Sequence, residues 1–179
     1  MIAKRISGAK VTPESTRLQE FRQRPDIFGA RGASLISGVS VLPLPRISSA
    51  PRGLMRIGNQ HALCAIGRAG IGVKSKEGDG RTPVGRFHII GWRRREGAWP
   101  AFRADSRPIR NFDGWCDDPA VFAYNKYVRL PFPARCETLS RPDGVYDALG
   151  FMDYNTHPRI LGRGSAIFFH LAHEDYRPT

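Results

Sequence analysis

Proline and glycine interrupt the chain so often that long helices are excluded from most of it. The 179 residues include 14 prolines and 19 glycines, and a proline inside a helix removes a backbone hydrogen bond and clashes with the preceding turn. Between these residues lie short apolar stretches with the length of strands. The pattern predicts a mainly β fold, a sandwich or partly open barrel with long loops and few short helices.

Seven apolar stretches are predicted to be strands. They cover residues 40–47, 53–58, 61–67, 85–92, 121–125, 145–151 and 165–172. Gly58, Asn59 and Gln60 separate the second and third stretches, and glycine and asparagine tolerate the positive φ that a tight turn requires. This pair of strands is therefore predicted to form a hairpin.

The first 40 residues differ from the rest because they contain few large apolar side chains. We interpret residues 1–40 as a basic, poorly ordered extension, with a short helix at 14–23, and residues 41–179 as the folded domain. The net charge is +12, and residues 1–60 carry 10 basic and 3 acidic side chains. This balance favours an anionic partner, such as nucleic acid, an anionic membrane surface or a carboxylate-rich polymer.

The cysteines and the hydropathy pattern give little sign of a metal module or a membrane anchor. Cys64, Cys116 and Cys136 are widely spaced without a C-x-x-C pair, so they predict neither a zinc module nor a disulfide framework, and at most one disulfide can form. No apolar run approaches the roughly 18 residues of a membrane span. Residues 32–45 lie too far from Met1 for an ordinary signal peptide and are interpreted as a linker.

Three polar segments have a structural interpretation that outweighs a chemical one. Residues 74–89 are predicted to be a charged hairpin tip, because Pro83 follows the threonine where a phosphate loop would open a helix. Residues 92–96 are interpreted as a solvated charge run. Asp117 and Asp118 precede a proline and are predicted to form a turn or a cap rather than a metal site.

The last predicted strand, 165–172, carries a histidine. Strand alternation places Phe168 and His170 on one face, and Ile167, Phe169 and Leu171 on the other. The residues alone favour a half-buried structural histidine over a catalytic one. A metal site of His157, His170 and His173 is an alternative, but no matching carboxylate spacing accompanies these histidines.

Four motifs in order resemble a known family. They are EGDGRTPVGRFHI, GWCDDP, YNKYVRLPF and GRGSAIFFHLA, the last followed by RPT. Over about residues 47–179 they resemble the L,D-transpeptidase catalytic domain of the YkuD type, in a bacterial branch with a Trp-Cys-Asp-Asp-Pro segment. The resemblance implies that a cysteine thiolate attacks the third residue of a peptidoglycan stem peptide, and that the terminal D-amino acid leaves. The acyl group then passes to a neighbouring stem or to water.

The same resemblance implies roles for individual residues. His170 matches the base, the Leu171 backbone carbonyl would orient its ring, and Thr179 matches the Ser/Thr of the nucleophile motif. The cysteine itself would be the third residue after Thr179, and none of the three cysteines present matches it. The expectation is therefore an inactive, C-terminally incomplete domain whose last strand lacks some partners.

Four further residues are candidate substrate contacts. Arg129 and Arg163 could bind the carboxylates of a stem peptide, and Tyr124 and Asn125 could face it, although each could equally serve a turn or the core. The implied partner is peptidoglycan in the periplasm or cell wall, with no cofactor, no metal and no nucleic acid. The alternative function is a non-catalytic basic module that binds peptidoglycan or nucleic acid.

Overall fold

The computed structural model describes residues 2–4, 38–45, 51–98 and 105–178, and for residues 2–4 it describes the backbone only. Within these ranges the chain forms strands and no helix. The strands are β1 (Ile2–Lys4), β2 (Val39–Pro43), β3 (Arg52–Ile57), β4 (Gln60–Ala65), β5 (Ile71–Gly72), β6 (Thr82–Pro83), β7 (Ile89–Arg94), β8 (Arg107–Pro108), β9 (Asp113–Cys116), β10 (Lys126–Arg129), β11 (Cys136–Thr138), β12 (Ala148–Met152) and β13 (Phe168–Ala172). The helix predicted at 14–23 lies outside the described residues.

The strands form one large sheet and one small sheet. The large sheet has the order β2-β3-β4-β1-β13-β12-β7-β8, the small sheet has the order β10-β9-β11, and β5 pairs with β6. Neither sheet closes on itself among the described strands. The prediction of a mainly β fold without a closed barrel is confirmed. No described element is a helix that could cross a bilayer.

The predicted hairpin is confirmed as β3 and β4. Ile57 pairs with Gln60, so the turn contains only Gly58 and Asn59, and Gln60 already belongs to the second strand. Gly58 has a φ of 56°, a conformation that glycine adopts without the strain a Cβ atom would add.

The predicted strand at 121–125 is wrong. This segment forms turns, with the Tyr124 N–H donating to the Val121 carbonyl at 3.0 Å and Asn125 at a φ of 55°. The left-handed residue ends the turn and starts β10 at Lys126. Strands β9 and β11 were also not predicted from the sequence, because they are short and lack a run of β-branched residues.

Strand β13 lies inside the large sheet. It pairs in parallel with β1, opposite Ile2 to Lys4, and antiparallel with β12, where Leu149 faces His170. The expectation that the last strand lacks partners is therefore wrong for the described strand. Residues 2–4, which we assigned to the extension, supply one of its two neighbours.

The two faces of β13 enter different cores, as the alternation predicted. Phe168 packs with Trp115 of the small sheet and with Tyr146 and Phe151, while Phe169 packs against a second core that contains Met55 and Cys64. The first core consists of Trp115, Leu139, Val145, Tyr146, Leu149, Phe151 and Phe168, and the second is built on Met55, Cys64 and Ile66. His170 shares the face of Phe168, so it lies beside the core between the two sheets.

Candidate active site

His170 is held by its own strand in one tautomer. Its Nδ1 atom lies 2.9 Å from the Leu171 carbonyl oxygen. A carbonyl can only accept a hydrogen bond, so the proton resides on Nδ1 and the lone pair on Nε2. The contact that we predicted between these two residues is present, whereas their chemical roles stay predictions.

Burial keeps the His170 ring neutral. The residue is only 7% exposed, and this burial lowers the pKa of His170 from its ordinary 6.5 to about 3. Loss of hydration penalises the imidazolium more than the imidazole. The ring is therefore able to accept a proton at neutral pH, but it needs a partner that stabilises the positive charge.

Tyr146 contacts the His170 ring edge to face, with 5.2 Å between the ring centroids and an interplanar angle of 80°. The Tyr146 hydroxyl donates to a Glu137 carboxylate oxygen. Burial raises the pKa of Glu137 and of Tyr146, and the nearby carboxylate raises that of Tyr146 further. The tyrosine is therefore a neutral donor that fixes its ring against the histidine.

Arg141 completes a charged group behind Tyr146. Its Nη2 atom donates to Asp143 at 2.6 Å, its Nη1 atom donates to Glu137 at 3.4 Å, and its guanidinium lies 5.1 Å from the centre of the Tyr146 ring. We call Glu137, Arg141, Asp143 and Tyr146 the Arg141 cluster. His173 lies at the edge of this cluster, with its Nε2 atom 4.0 Å from Asp143 Oδ2.

A second polar group lies in front of β13. Tyr124 is fully buried, its hydroxyl donates to Glu77, and the same oxygen accepts from the Gly164 N–H at 2.9 Å. Ser165 Oγ also donates to Glu77, at 2.8 Å. Glu77 thus links the loop at 74–85 to the segment that enters β13.

Asn125 extends this second group to the small sheet. Its Oδ1 atom accepts from Trp115 Nε1 at 2.9 Å and from the Ala166 N–H at 3.2 Å. Its Nδ2 atom donates to the carbonyls of Tyr154 and Asn155 at 3.0 and 2.9 Å. We call Glu77, Tyr124, Asn125 and Ser165 the Tyr124 network; the predicted contact of Tyr124 and Asn125 with substrate stays untested.

The loop at 74–85 is itself held by a buried ion pair. Lys74 Nζ donates to Asp79 Oδ1 at 2.6 Å, and both side chains are almost wholly inaccessible. Burial alone would raise the pKa of Asp79, but Lys74 and the backbone N–H groups of Arg81 and Ser75 lower it to about 2. The predicted structural role of this segment agrees with these contacts, but the predicted hairpin is wrong, because the flanking strands β5 and β6 pair in parallel.

Gly164 is required where the loop meets β13. It has a φ of 99°, and a Cβ atom at this position would lie 2.3 Å from Lys74 Cε. The backbone of the segment before β13 therefore lies directly on the buried lysine, and only glycine fits.

The two predicted arginines are exposed. The Arg129 guanidinium lies over the Phe112 ring at 4.1 Å, and the Arg163 carbonyl accepts from the Tyr154 hydroxyl at 2.7 Å. Thr179 lies outside the described residues. Within the described ranges, no three His, Cys, Asp or Glu side chains form a group suited to a metal ion, so His157, His170 and His173 are not brought together.

The cysteines lie in two places. Cys64 is buried in the second core, and burial raises its pKa to about 11. Cys116 and Cys136 face each other across β9 and β11 of the small sheet. The second core is on the far side of β13 from the His170 ring, so Cys64 is separated from the histidine by the strand itself.

Sequence reasoning missed the Arg141 cluster. Its members span residues 137–146, and the only local signal is the turn-forming run from Arg141 to Gly144. Tyr146 and His170 are 24 positions apart in sequence. Their ring contact forms because β12 pairs with β13. A local pattern cannot report such a contact.

The family model of the L,D-transpeptidase catalytic domain, YkuD, matches residues 50–178. Comparison with curated proteins and with solved structures found no match.

Proposed function

Because the chain belongs to the YkuD family of L,D-transpeptidase catalytic domains, we propose that this domain serves peptidoglycan crosslinking or remodelling by cysteine acyl transfer. The family acts on peptidoglycan stem peptides and is generally found in the cell wall or periplasm, so we propose the same substrate and location here. The observation that carries the proposal is the neutral, oriented His170 within the matched region.

In the proposed reaction His170 is the base. Its Nε2 atom takes the proton of a cysteine thiol while the Leu171 carbonyl holds the Nδ1 proton at 2.9 Å. The imidazolium is costly in a site this buried, so the proton is accepted only as the thiolate forms beside it, where opposite charges stabilise each other. The thiolate then attacks the stem-peptide carbonyl.

The Arg141 cluster supports this reaction without touching the reacting atoms. Tyr146 is a positioning residue, because its ring packs on His170 and its hydroxyl is anchored by Glu137. A fixed ring keeps Nε2 directed at one point, which is what proton transfer between two side chains requires.

The nucleophile of the family motif matches none of the three cysteines in residues 1–179. By the family motif it is the third residue after Thr179, beyond the 179 residues. Cys116 and Cys136 face each other in the small sheet and Cys64 lies in the second core, so we assign none of them to acyl transfer. We therefore propose that none of these three cysteines forms the acyl-enzyme.

The test compares two polypeptides, the 179-residue chain and the same chain continued by one residue, glycine and cysteine. Each is incubated with a carbapenem, which acylates the cysteine of this family, and covalent adducts are mapped by mass spectrometry. We expect an adduct on the added cysteine and none on the 179-residue chain. In the longer chain, His170→Gln should slow acylation by roughly 10²–10⁴-fold, the usual contribution of a general base.

The matched control is His88→Gln. His88 is an exposed histidine that bonds Asp153, so its replacement should leave the acylation rate unchanged. A stoichiometric adduct on Cys64, Cys116 or Cys136 would overturn the assignment of the nucleophile. Equal rates for His170→Gln and the parent would overturn that of the base.

Arg129 and Arg163 stay candidates for the stem carboxylates, because both are exposed cations in the matched region. The alternative function, a non-catalytic basic binding module, also stays a proposal. Sedimentation with purified sacculi, compared with salt-dependent DNA binding, separates the two ligands, since binding to a nucleic acid backbone weakens steeply with salt.

A further inference from the structure

Cys116 and Cys136 occupy facing positions on the two neighbouring strands β9 and β11. The Asp117 N–H donates to the Arg135 carbonyl at 3.3 Å, and the Leu139 N–H donates to the Asp113 carbonyl at 2.9 Å. These contacts mark 117/135 and 113/139 as hydrogen-bonded pairs. Because pairs alternate along an antiparallel ladder, 116/136 is a non-hydrogen-bonded pair.

Non-hydrogen-bonded pairs bring their side chains closest. Their Cα atoms lie about 4.5 Å apart, which is inside the range of roughly 4.4–6.8 Å that a disulfide spans. Both cysteines are free thiols in this structure, and their positions face each other in the register of β9 and β11. The register therefore places the two cysteines at a Cα separation that a disulfide can bridge.

The two thiols differ in solvent exposure, so they are suited to different steps of disulfide formation. Cys116 is completely buried, whereas Cys136 is only partly buried. The third cysteine, Cys64, packs with Met55 and Ile66 in the second core and belongs to the large sheet. A small-molecule oxidant can therefore reach Cys136 first, and Cys116 is the thiol placed to complete the bond.

We propose that Cys116 and Cys136 form a cross-strand disulfide that joins β9 to β11 when the protein meets a disulfide oxidant, such as oxidised glutathione or a protein disulfide. The inference rests on the small sheet alone and is independent of the proposed function.

The reaction balances as two thiol–disulfide exchanges. The Cys136 thiolate attacks one sulfur of the oxidant, the oxidant's S–S bond breaks, and one oxidant thiol leaves. The Cys116 thiolate then attacks the Cys136 sulfur of this mixed disulfide, and the second oxidant thiol leaves. In sum, the two protein thiols lose two protons and two electrons, and the oxidant disulfide is reduced to two thiols.

Two consequences follow for the small sheet. The bond closes the segment from 116 to 136, which contains β10 and the Tyr124 and Asn125 side chains. It also fixes β11, the strand that contains Glu137, and Glu137 anchors Tyr146 against His170. Oxidation therefore stiffens the strand behind the candidate base.

The test is oxidation of the purified 179-residue protein with oxidised glutathione, followed by alkylation in denaturant and peptide mapping. We expect one remaining thiol, on Cys64, a linked peptide pair that contains Cys116 and Cys136, and a mass lower by about 2 Da for the two hydrogens lost. The oxidised protein should melt roughly 5–10 °C above the reduced protein, because the crosslink restricts the unfolded chain.

The pH dependence of the oxidation rate and three cysteine substitutions distinguish the Cys116–Cys136 disulfide from non-specific oxidation. Burial and the neighbouring Cys116 thiol raise the pKa of Cys136 to about 11, so the oxidation rate should rise about tenfold per pH unit between pH 7 and 9 as thiolate forms. Cys64→Ser should keep the link. Cys136→Ser and Cys116→Ala should both abolish it, and Cys116→Ala should stop at a glutathione adduct on Cys136.

Three free thiols after prolonged oxidation, or a link that includes Cys64, would overturn the proposal. So would a stable glutathione adduct on Cys136 in the protein that retains Cys116, because the facing thiol should displace it.

Discussion

The Tyr124 network and the Arg141 cluster are both buried polar groups attached to β13, but they use their hydrogen bonds differently. In the Tyr124 network the Glu77 carboxylate accepts hydrogen bonds from the Tyr124 and Ser165 hydroxyls. The Tyr124 oxygen also accepts a hydrogen bond from the Gly164 N–H. In the Arg141 cluster charged groups satisfy one another, and only the Tyr146 ring reaches the histidine. The first group holds the backbone before β13, whereas the second holds a side chain on it.

This difference teaches which region supports the fold and which supports the candidate chemistry. Loss of a contact in the Tyr124 network leaves buried backbone without a partner, which costs stability. Loss of a contact in the Arg141 cluster leaves groups that still have other charged partners, so the effect should fall on the position of the His170 ring. Five substitutions test this contrast.

Lys74→Met should have the largest effect on stability. It leaves the Asp79 carboxylate buried without its ammonium partner, and breaking a buried pair in this way typically costs about 3–5 kcal/mol. Urea unfolding measures the change. Lys76→Met, at an exposed position two residues away, is the control and should change the free energy of unfolding by less than about 0.5 kcal/mol. Equal losses of stability in the two variants would mean that the Lys74–Asp79 ion pair does not stabilise this loop.

Tyr124→Phe should destabilise the protein by about 1–3 kcal/mol, because the Gly164 N–H loses its acceptor and Glu77 loses one donor. Tyr154→Phe is the matched control, since its hydroxyl donates to the Arg163 carbonyl at an exposed site. The control should lose less than Tyr124→Phe in the same urea titration. A larger loss in the control would show that burial does not set the cost.

His170→Gln should change how stability depends on pH. The pKa of the native histidine is lowered to about 3, so between pH 6.5 and 3 the unfolded chain binds the extra proton. Stability therefore falls as pH drops through this window, by up to about 1.4 kcal/mol per pH unit. Unfolding measured from pH 7 to 4 should be flatter in His170→Gln. Identical slopes would mean that the native ring is not held neutral.

The Lys74–Asp79 pair should respond in a different window from His170. The pKa of Asp79 is lowered from 3.8 to about 2, so its contribution is present above pH 4 and is lost as pH falls towards 2. An Asp79→Asn variant should flatten the stability curve there and leave the region near pH 6 unchanged.

Tyr146→Phe should have the smallest effect on stability, about 0.5–1.5 kcal/mol. The chemical change is the same as in Tyr124→Phe, but Glu137 keeps its contact with Arg141 and no backbone N–H loses its acceptor at this hydroxyl. Paired urea titrations of the two variants give the comparison directly. If Tyr146→Phe proved the more costly, the contrast between the two regions would be reversed.

Much of the fold followed from local pattern. Alternation along 165–172 placed Phe168 and His170 on one face, and Gly58 with Asn59 marked the hairpin turn. The motif likewise pointed to the contact of His170 Nδ1 with the Leu171 carbonyl, because these residues are neighbours in sequence. The short strands β9 and β11 were not predicted, since strands of four and three residues carry no clear periodicity.

The sequence by itself determined that the chain is mainly β, that His170 is carried by a strand, and that the motifs belong to one family. Tertiary structure alone decided that Tyr146 packs on His170, that Tyr124 is interior, and that Cys116 faces Cys136. The physical reason is that each of these contacts depends on strand register between distant segments. Register is set by hydrogen bonding and burial across the whole sheet, which no local stretch of sequence contains.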